Sequence, residues 1–147
     1  VKHLIAFRRA HPVFHMEQEP RVMDYLACGH PDISYHGVNA WQPEFENFRR
    51  QIGILYCGTY AKKPDGQNDD FFFVIFNMHW EPHGFALPNL PKDLEWTLSF
   101  DTSDSAAGGF YEEGQERRVL NQKNCMVPPR SVLVFKAKKK AKNLDKA

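Results

Sequence analysis

Residues Phe71–Pro91 read FFFVIFNMHWEPHGFALPNLP. Phe71 to Phe76 is an unbroken apolar run rich in aromatic and β-branched side chains. It is too short for a typical helix and has the length of a strand buried on both faces, so it predicts a central strand. Asn77 to Pro82 mixes amide, imidazole, indole and carboxylate, and Pro82 removes a backbone donor, so the ladder stops or bulges there. Gly84 opens a second short run, Phe85 to Leu87, and Pro88 and Pro91 bracket its exit. The spacing predicts a strand, a turn and a shorter partner strand.

Outward from this stretch the β signals continue. Glu95 to Phe100, EWTLSF, alternates Trp96, Leu98 and Phe100 inward against polar neighbours, the pattern of a half-buried strand. Asp101 to Gly109 is small and polar, a loop; Val119 to Val127 offers another strand, and Ser131 to Phe135, SVLVF, closes the set. Upstream, Ile52 to Tyr56 is a short strand, and Lys62 to Asp70 is a polar insertion built on Pro64-Asp65-Gly66. Strands divided by turns, with no helical segments between them, predict a mainly β fold, an antiparallel β-sandwich over residues 52–136.

Residues 15–51 read as an irregular connector. Met16 to Leu26 allows a short helix, interrupted at Glu19-Pro20 and ended by Gly29-His30-Pro31. Asp32 to Gly37, DISYHG, is a brief strand, and Trp41, Phe45 and Phe48 recur at spacings that suit a helical turn after Pro43. Before the connector, residues 1–14 hold a short helix with Val1, Leu4, Ile5 and Phe7 or Arg8 on one stripe, closed by Pro12. The chain starts inside that pattern and without Met, so it is expected to be part of a longer polypeptide. Residues 137–147 form a basic tail expected to be solvated.

The chain has 147 residues, enough for one domain with a real core, and 19 Lys plus Arg against 18 Asp plus Glu. That balance gives no reason to expect nucleic acid or an anionic membrane as partner. No apolar run reaches bilayer length. Cys28, Cys57 and Cys125 are odd in number and far apart, the pattern of free thiols in a reducing, cytoplasmic compartment.

Few residues carry a recognisable chemistry. His79 and His83 stand four apart around Glu81, but the order differs from H-E-x-x-H, and Pro82 argues against a shared helical face, so no metal is expected. Phe100 to Ser103, FDTS, lacks the glycine of the aspartic-protease D-T-G and reads as a strand end with Asp101 and Thr102 closing a turn. Glu81, Asp101 and Glu112 have the side chain a glycosidase needs, but sequence does not bring them together. The aromatic residues are more informative, since flat faces stack on sugar rings. Trp96 and Trp80 read as core; Tyr35, His36 and Trp41, in the connector, are the candidate ligand contacts.

Several stretches together resemble one family. Ala6 to Phe14, AFRRAHPVF, is similar to the last barrel helix of the α-amylase superfamily debranching enzymes, the isoamylase, pullulanase and glycogen-debranching group, where R-x-x-H-P-x-F is frequent. Asp32 to Gly37 looks like the D-[IV]-x-[WY]-[HY]-G segment that follows. Ile52 to Leu55, Phe71 to Asn77 with His79-Trp80-Glu81-Pro82, Leu87-Pro88, Trp96, Asp101-Thr102 and Arg130-Ser131-Val132 fall in the order of that family's C-terminal β domain.

The resemblance implies a TIM-type catalytic barrel upstream in the same polypeptide, with the catalytic residues there and none in this chain. It implies a parent that hydrolyses α-1,6-glucosidic branch points in glycogen, starch or pullulan without a cofactor. The domain then supports the barrel, with α-glucan as partner and Tyr35, His36 and Trp41 beside the glucan cleft. Tyr35 stands where Trp is common in the family, and Phe45 where a later Trp often occurs; both keep a stacking face. Two other readings stay open: an independent glucan-binding module, and an adaptor that binds polyanions through its lysine tail.

Overall fold

A computed structural model of the chain describes residues 1–105 and 108–141. Its order is helix α1 (Lys2–Ala10), then strands β1 (Ile33–His36), β2 (Gln51–Tyr56), β3 (Phe72–Asn77), β4 (His83–Ala86), β5 (Leu94–Asp101), β6 (Arg117–Arg118), β7 (Asn124–Val127) and β8 (Ser131–Lys139). Six strands form one sheet in the order β1-β2-β3-β8-β5-β6, while β4 and β7 form a second, two-stranded sheet. Every pairing is antiparallel. The fold is mainly β, with a short N-terminal helix and an irregular connector.

β3 and β8 are the two central strands, which is why FFFVIF carries no polar residue: Phe72 to Ile75 are all buried. Alternation sends Phe73 and Ile75 to one face, where they meet Leu133, Phe135, Trp96 and Leu98 under Phe85 of β4 and Val127 of β7. Phe72 points the other way, into a smaller cluster with Val13, Phe7, Phe14 and Val134. The large sheet is therefore covered on one side by the small sheet and on the other by α1 and the 3-10 turn Pro12–Phe14.

The structure corrects several sequence expectations. β4 is not the partner of β3. Asn77 is fully buried, and its side-chain amide donates to the carbonyls of Glu81, Val127 and Pro128 at 3.1–3.2 Å, which lifts the chain off the large sheet and delivers β4 to β7. Phe100 does not share a face with Trp96 and Leu98. The register of β5 on β8 shifts between Leu98 and Phe100, a bulge that turns Phe100 to the helix side, where its ring meets Phe7 at 4.9 Å.

Most of the apolar stripe of α1 does not face inward either. Leu4 and Ile5 are 58% and 47% exposed, and Phe7 instead seats the helix against Phe72 at 5.3 Å.

Neither expected helix of the connector forms. The Arg21 and Met23 amides donate to Asp32, and the Cys28 and Gly29 amides donate to Asp24 at 2.9 and 2.8 Å. These side-chain bonds take the place of a helical ladder. Trp41, at φ 64, breaks the second candidate before it starts. The connector's brief strand, β1, is an edge of the large sheet and pairs with β2. At the C-terminus β8 continues to Lys139, so the first lysines of the basic run lie in the sheet; residues 142–147 lie outside the described residues. All three cysteines are free. Among the described residues no helix is long and apolar enough to cross a membrane.

Candidate functional site

Tyr35 and His36 are neighbours on β1, so their side chains leave on opposite faces of the sheet. His36 is fully buried, its ring against Phe73 at 5.4 Å, a position open to it because Gly53, its partner on β2, has no Cβ to meet that phenyl ring. Its Nδ1 accepts the Trp41 amide at 2.7 Å, which leaves the proton on Nε2, 2.9 Å from Ser34 Oγ. Burial pushes the imidazole down to about 4. His36 is thus neutral and held from both ends.

Trp41 stands over it, the two rings 4.6 Å apart, and the residue is 45% exposed. The residue sits in the left-handed region, which disfavours bulky side chains by about 1–2 kcal/mol, and the His36 bond together with the Gly37-to-Gln42 backbone bond of 3.0 Å fixes it there. The structure therefore brings His36 and Trp41 together. Tyr35 lies apart from them, its ring edge-on to Phe45 at 6.0 Å.

A second group was not legible in the sequence. Under α1, His11 Nδ1 lies 2.8 Å from Asp69 Oδ1, and His11 Nε2 lies 3.3 Å from Glu113 Oε2. Lys136 on β8 binds Glu113, Glu116 at 3.2 Å and Asp70 at 3.7 Å. Burial works against the Lys136 charge, but the hydrogen bond and charges of its carboxylate partners overcome it and hold the amine above its ordinary range. Burial also acts to raise Asp69; the bonds from His11 and from the Val13 and Asp70 amides prevail and keep it below the usual carboxylate value. With each negative group matched by a positive one or by amide donors, this cluster is a staple between the helix and the sheet. The available signal was parity: Val132, Val134 and Lys136 share one face of β8, so Lys136 occupies a core position.

The third group is the turn between β3 and β4. Trp80, expected in the core, is 60% exposed there, because Asn77 and Pro82 direct the turn away from both sheets. Its indole stacks on His79 at 4.1 Å, with the Arg50 guanidinium 5.5 Å from the ring centre. Trp96, by contrast, is in the core and donates its indole N–H to the Pro88 carbonyl at 2.8 Å. Of the carboxylates, Asp101 accepts the Ser103 amide at 2.9 Å and Thr102 Oγ1 accepts the Val132 amide at 2.9 Å, the turn closure the sequence suggested.

A mainly β chain whose strands all pair antiparallel agrees with the family comparison. Residues 59–138, just over half of the chain, match the α-amylase C-terminal all-β domain. The chain belongs to that family. Comparison with curated protein sequences gives no match. In this α-amylase C-terminal domain the matched segment holds β3 to β8, the exposed Trp80 turn and Lys136, whereas Tyr35, His36, Trp41 and His11 precede it.

Proposed function

We propose that this α-amylase C-terminal domain belongs to a debranching glycoside hydrolase acting on α-1,6 linkages of glycogen, starch or pullulan. A catalytic barrel in the same polypeptide would do the chemistry. The domain's role in this reading is to cover the barrel and to present Trp41 at the border of the glucan cleft. The observation that carries the contact role is Trp41 itself. A bulky residue kept in the left-handed region over a buried neutral imidazole, with its indole face partly open, is costly to maintain and suits a stacking platform. Tyr35 is the second proposed contact, and His36 acts through Trp41 by fixing it. The exposed Leu4 and Ile5 on α1 suit the barrel as their cover.

The alternative, an independent glucan-binding module, draws support from Trp80, a second exposed indole. Titration calorimetry with maltoheptaose and with a branched limit dextrin separates the two. Heat from the chain alone that Trp41→Ala and Trp80→Ala both remove favours the module. No heat from the chain alone, with dextrin hydrolysis by the barrel-linked protein weakened by Trp41→Ala, supports the accessory role. Full hydrolysis by barrel-linked Trp41→Ala, with no heat from the chain, overturns the contact role.

A further inference from the structure

The turn between β3 and β4 brings together His79, Glu81 and His83. His79 Nδ1 and His83 Nε2 lie 3.1 Å apart, and Glu81 Oε2 lies 4.0 Å from His79 Nδ1. The ligand atoms of all three fall within 4.8 Å of one another. Two nitrogens bound to one divalent ion at about 2.0–2.1 Å stand about 3–3.4 Å apart, so the imidazoles already have the separation of adjacent ligands. Glu81 is exposed, and its carboxylate already lies beside them. A helix was the geometry the sequence argued against. The bend at Asn77 and Pro82 supplies convergence by another route.

The frame is firm. The His79 amide donates to Asn77 Oδ1 at 3.1 Å, its carbonyl accepts the Arg130 amide at 3.0 Å, and Trp80 covers its ring. The Glu81 amide donates to His79 Nδ1 at 3.2 Å, so that atom carries a lone pair and His83 Nε2 carries the hydrogen. On metal binding His83 shifts its proton from Nε2 to Nδ1 and the Glu81 amide exchanges His79 Nδ1 for water, so both facing nitrogens are free to donate an electron pair with no change in ring charge. The other group of comparable composition, His11, Asp70 and Glu113, already holds a cation, the Lys136 ammonium, on both of its carboxylates. Among the described residues Glu81 has no such Lys or Arg partner within 4.0 Å.

We propose that His79, Glu81 and His83 form a solvent-open, three-ligand site for a divalent transition ion of the zinc class. Two imidazoles and one carboxylate suit such an ion better than calcium or magnesium, which take oxygen. Bound there, the ion would clamp the turn and fix the Trp80 indole beside it.

The test is calorimetric titration of the full 147-residue chain, free of any affinity tag, with Zn2+. Parallel quenching of tryptophan fluorescence by Cu2+ reads the site beside Trp80. One ion per chain is expected, with His83→Gln and His79→Gln each weakening binding at least about tenfold and Glu113→Gln leaving it unchanged. His83 is half-exposed at the start of β4, and circular dichroism checks that its variant keeps the fold. Absence of binding by the wild-type chain, undiminished affinity in His83→Gln, or loss of binding in Glu113→Gln each overturns the site.

Discussion

His11 Nδ1 lies 2.8 Å from Asp69 Oδ1, and both residues are closed off from solvent, although 58 positions separate them. One stands at the end of α1 and the other closes the polar insertion before β3, so this hydrogen bond is one of the ties between the helix and the sheet. The His11 ring also packs on Phe72 at 4.7 Å and Phe7 at 4.8 Å. His11→Ala removes these contacts and leaves the Asp69 carboxylate with only the Val13 and Asp70 amides. The expected loss is about 3 kcal/mol of unfolding free energy, read from urea denaturation. Trypsin should also cut faster at Arg8 and Arg9 as α1 detaches. A loss below about 1 kcal/mol would show that the helix is held by its apolar contacts alone.

Acid should weaken the domain in two separate windows. His36 has a folded-state value lowered by burial from 6.5 to about 4, so the unfolded chain takes up the proton first. Its contribution is complete above about pH 6.5 and declines as the pH falls toward about 4, by up to about 3 kcal/mol. Asp69, Glu113 and Glu116 lie below the ordinary carboxylate range although partial desolvation acts to raise them, because the His11 and Lys136 bonds and nearby amides favour the charged form. Their share is complete above the usual carboxylate range and is lost as the pH falls through it toward their lower folded-state values. Urea midpoints between pH 7 and 4 should fall more steeply for the wild type than for His36→Gln; parallel slopes would exclude His36 as the cause.

The sequence was most legible where one physical demand acted alone. The run Phe71 to Phe76 had to be an inner strand because both of its faces are covered, and Trp96 had to be core because β5 alternates cleanly as far as Leu98. Beyond Leu98 the alternation failed as a guide: one extra residue at Ser99 reverses Phe100, and a bulge has no sequence signature in this stretch. The exposure of Trp80 is hidden for a related reason, since it depends on Asn77 finding carbonyls on Val127 and Pro128, about 50 residues away. The ion cluster was hidden because His11, Asp69, Glu113 and Lys136 come from four separated segments. His79 and His83 are visible as a pair, but the turn that unites them is not, because it depends on Asn77 reaching the Glu81, Val127 and Pro128 carbonyls.

Gly58 should tolerate no side chain. A Cβ there would stand 2.0 Å from the Asp69 carbonyl oxygen and 2.3 Å from that of Asp70, both backbone atoms that cannot turn aside. Asp69 is the acceptor for His11, so the displacement would reach the helix staple as well. Gly58→Ala is expected to cost about 3 kcal/mol, and Gly66→Ala, with open space around it, distinctly less despite its positive φ. Equal thermal midpoints for the two variants would refute the close-approach argument.

Asn77 joins the stability of the fold to the geometry of the proposed metal turn. Its amide nitrogen has two hydrogens for three carbonyl acceptors, so one hydrogen is shared, and its oxygen takes the His79 amide. Asn77→Ala leaves these buried groups without partners and should cost about 3 kcal/mol. Asn77→Asp keeps the shape but replaces the donors with oxygens facing three carbonyls, so above the carboxylate range it should cost more than Ala and recover as acid neutralises the group. Neither substitution touches a metal ligand, yet both release the segment that places His79 against His83. Zn2+ affinity measured on the folded fraction should therefore fall with stability in both variants. A destabilised Asn77→Ala chain that binds Zn2+ as tightly as the wild type would mean that His79, Glu81 and His83 converge without help from Asn77.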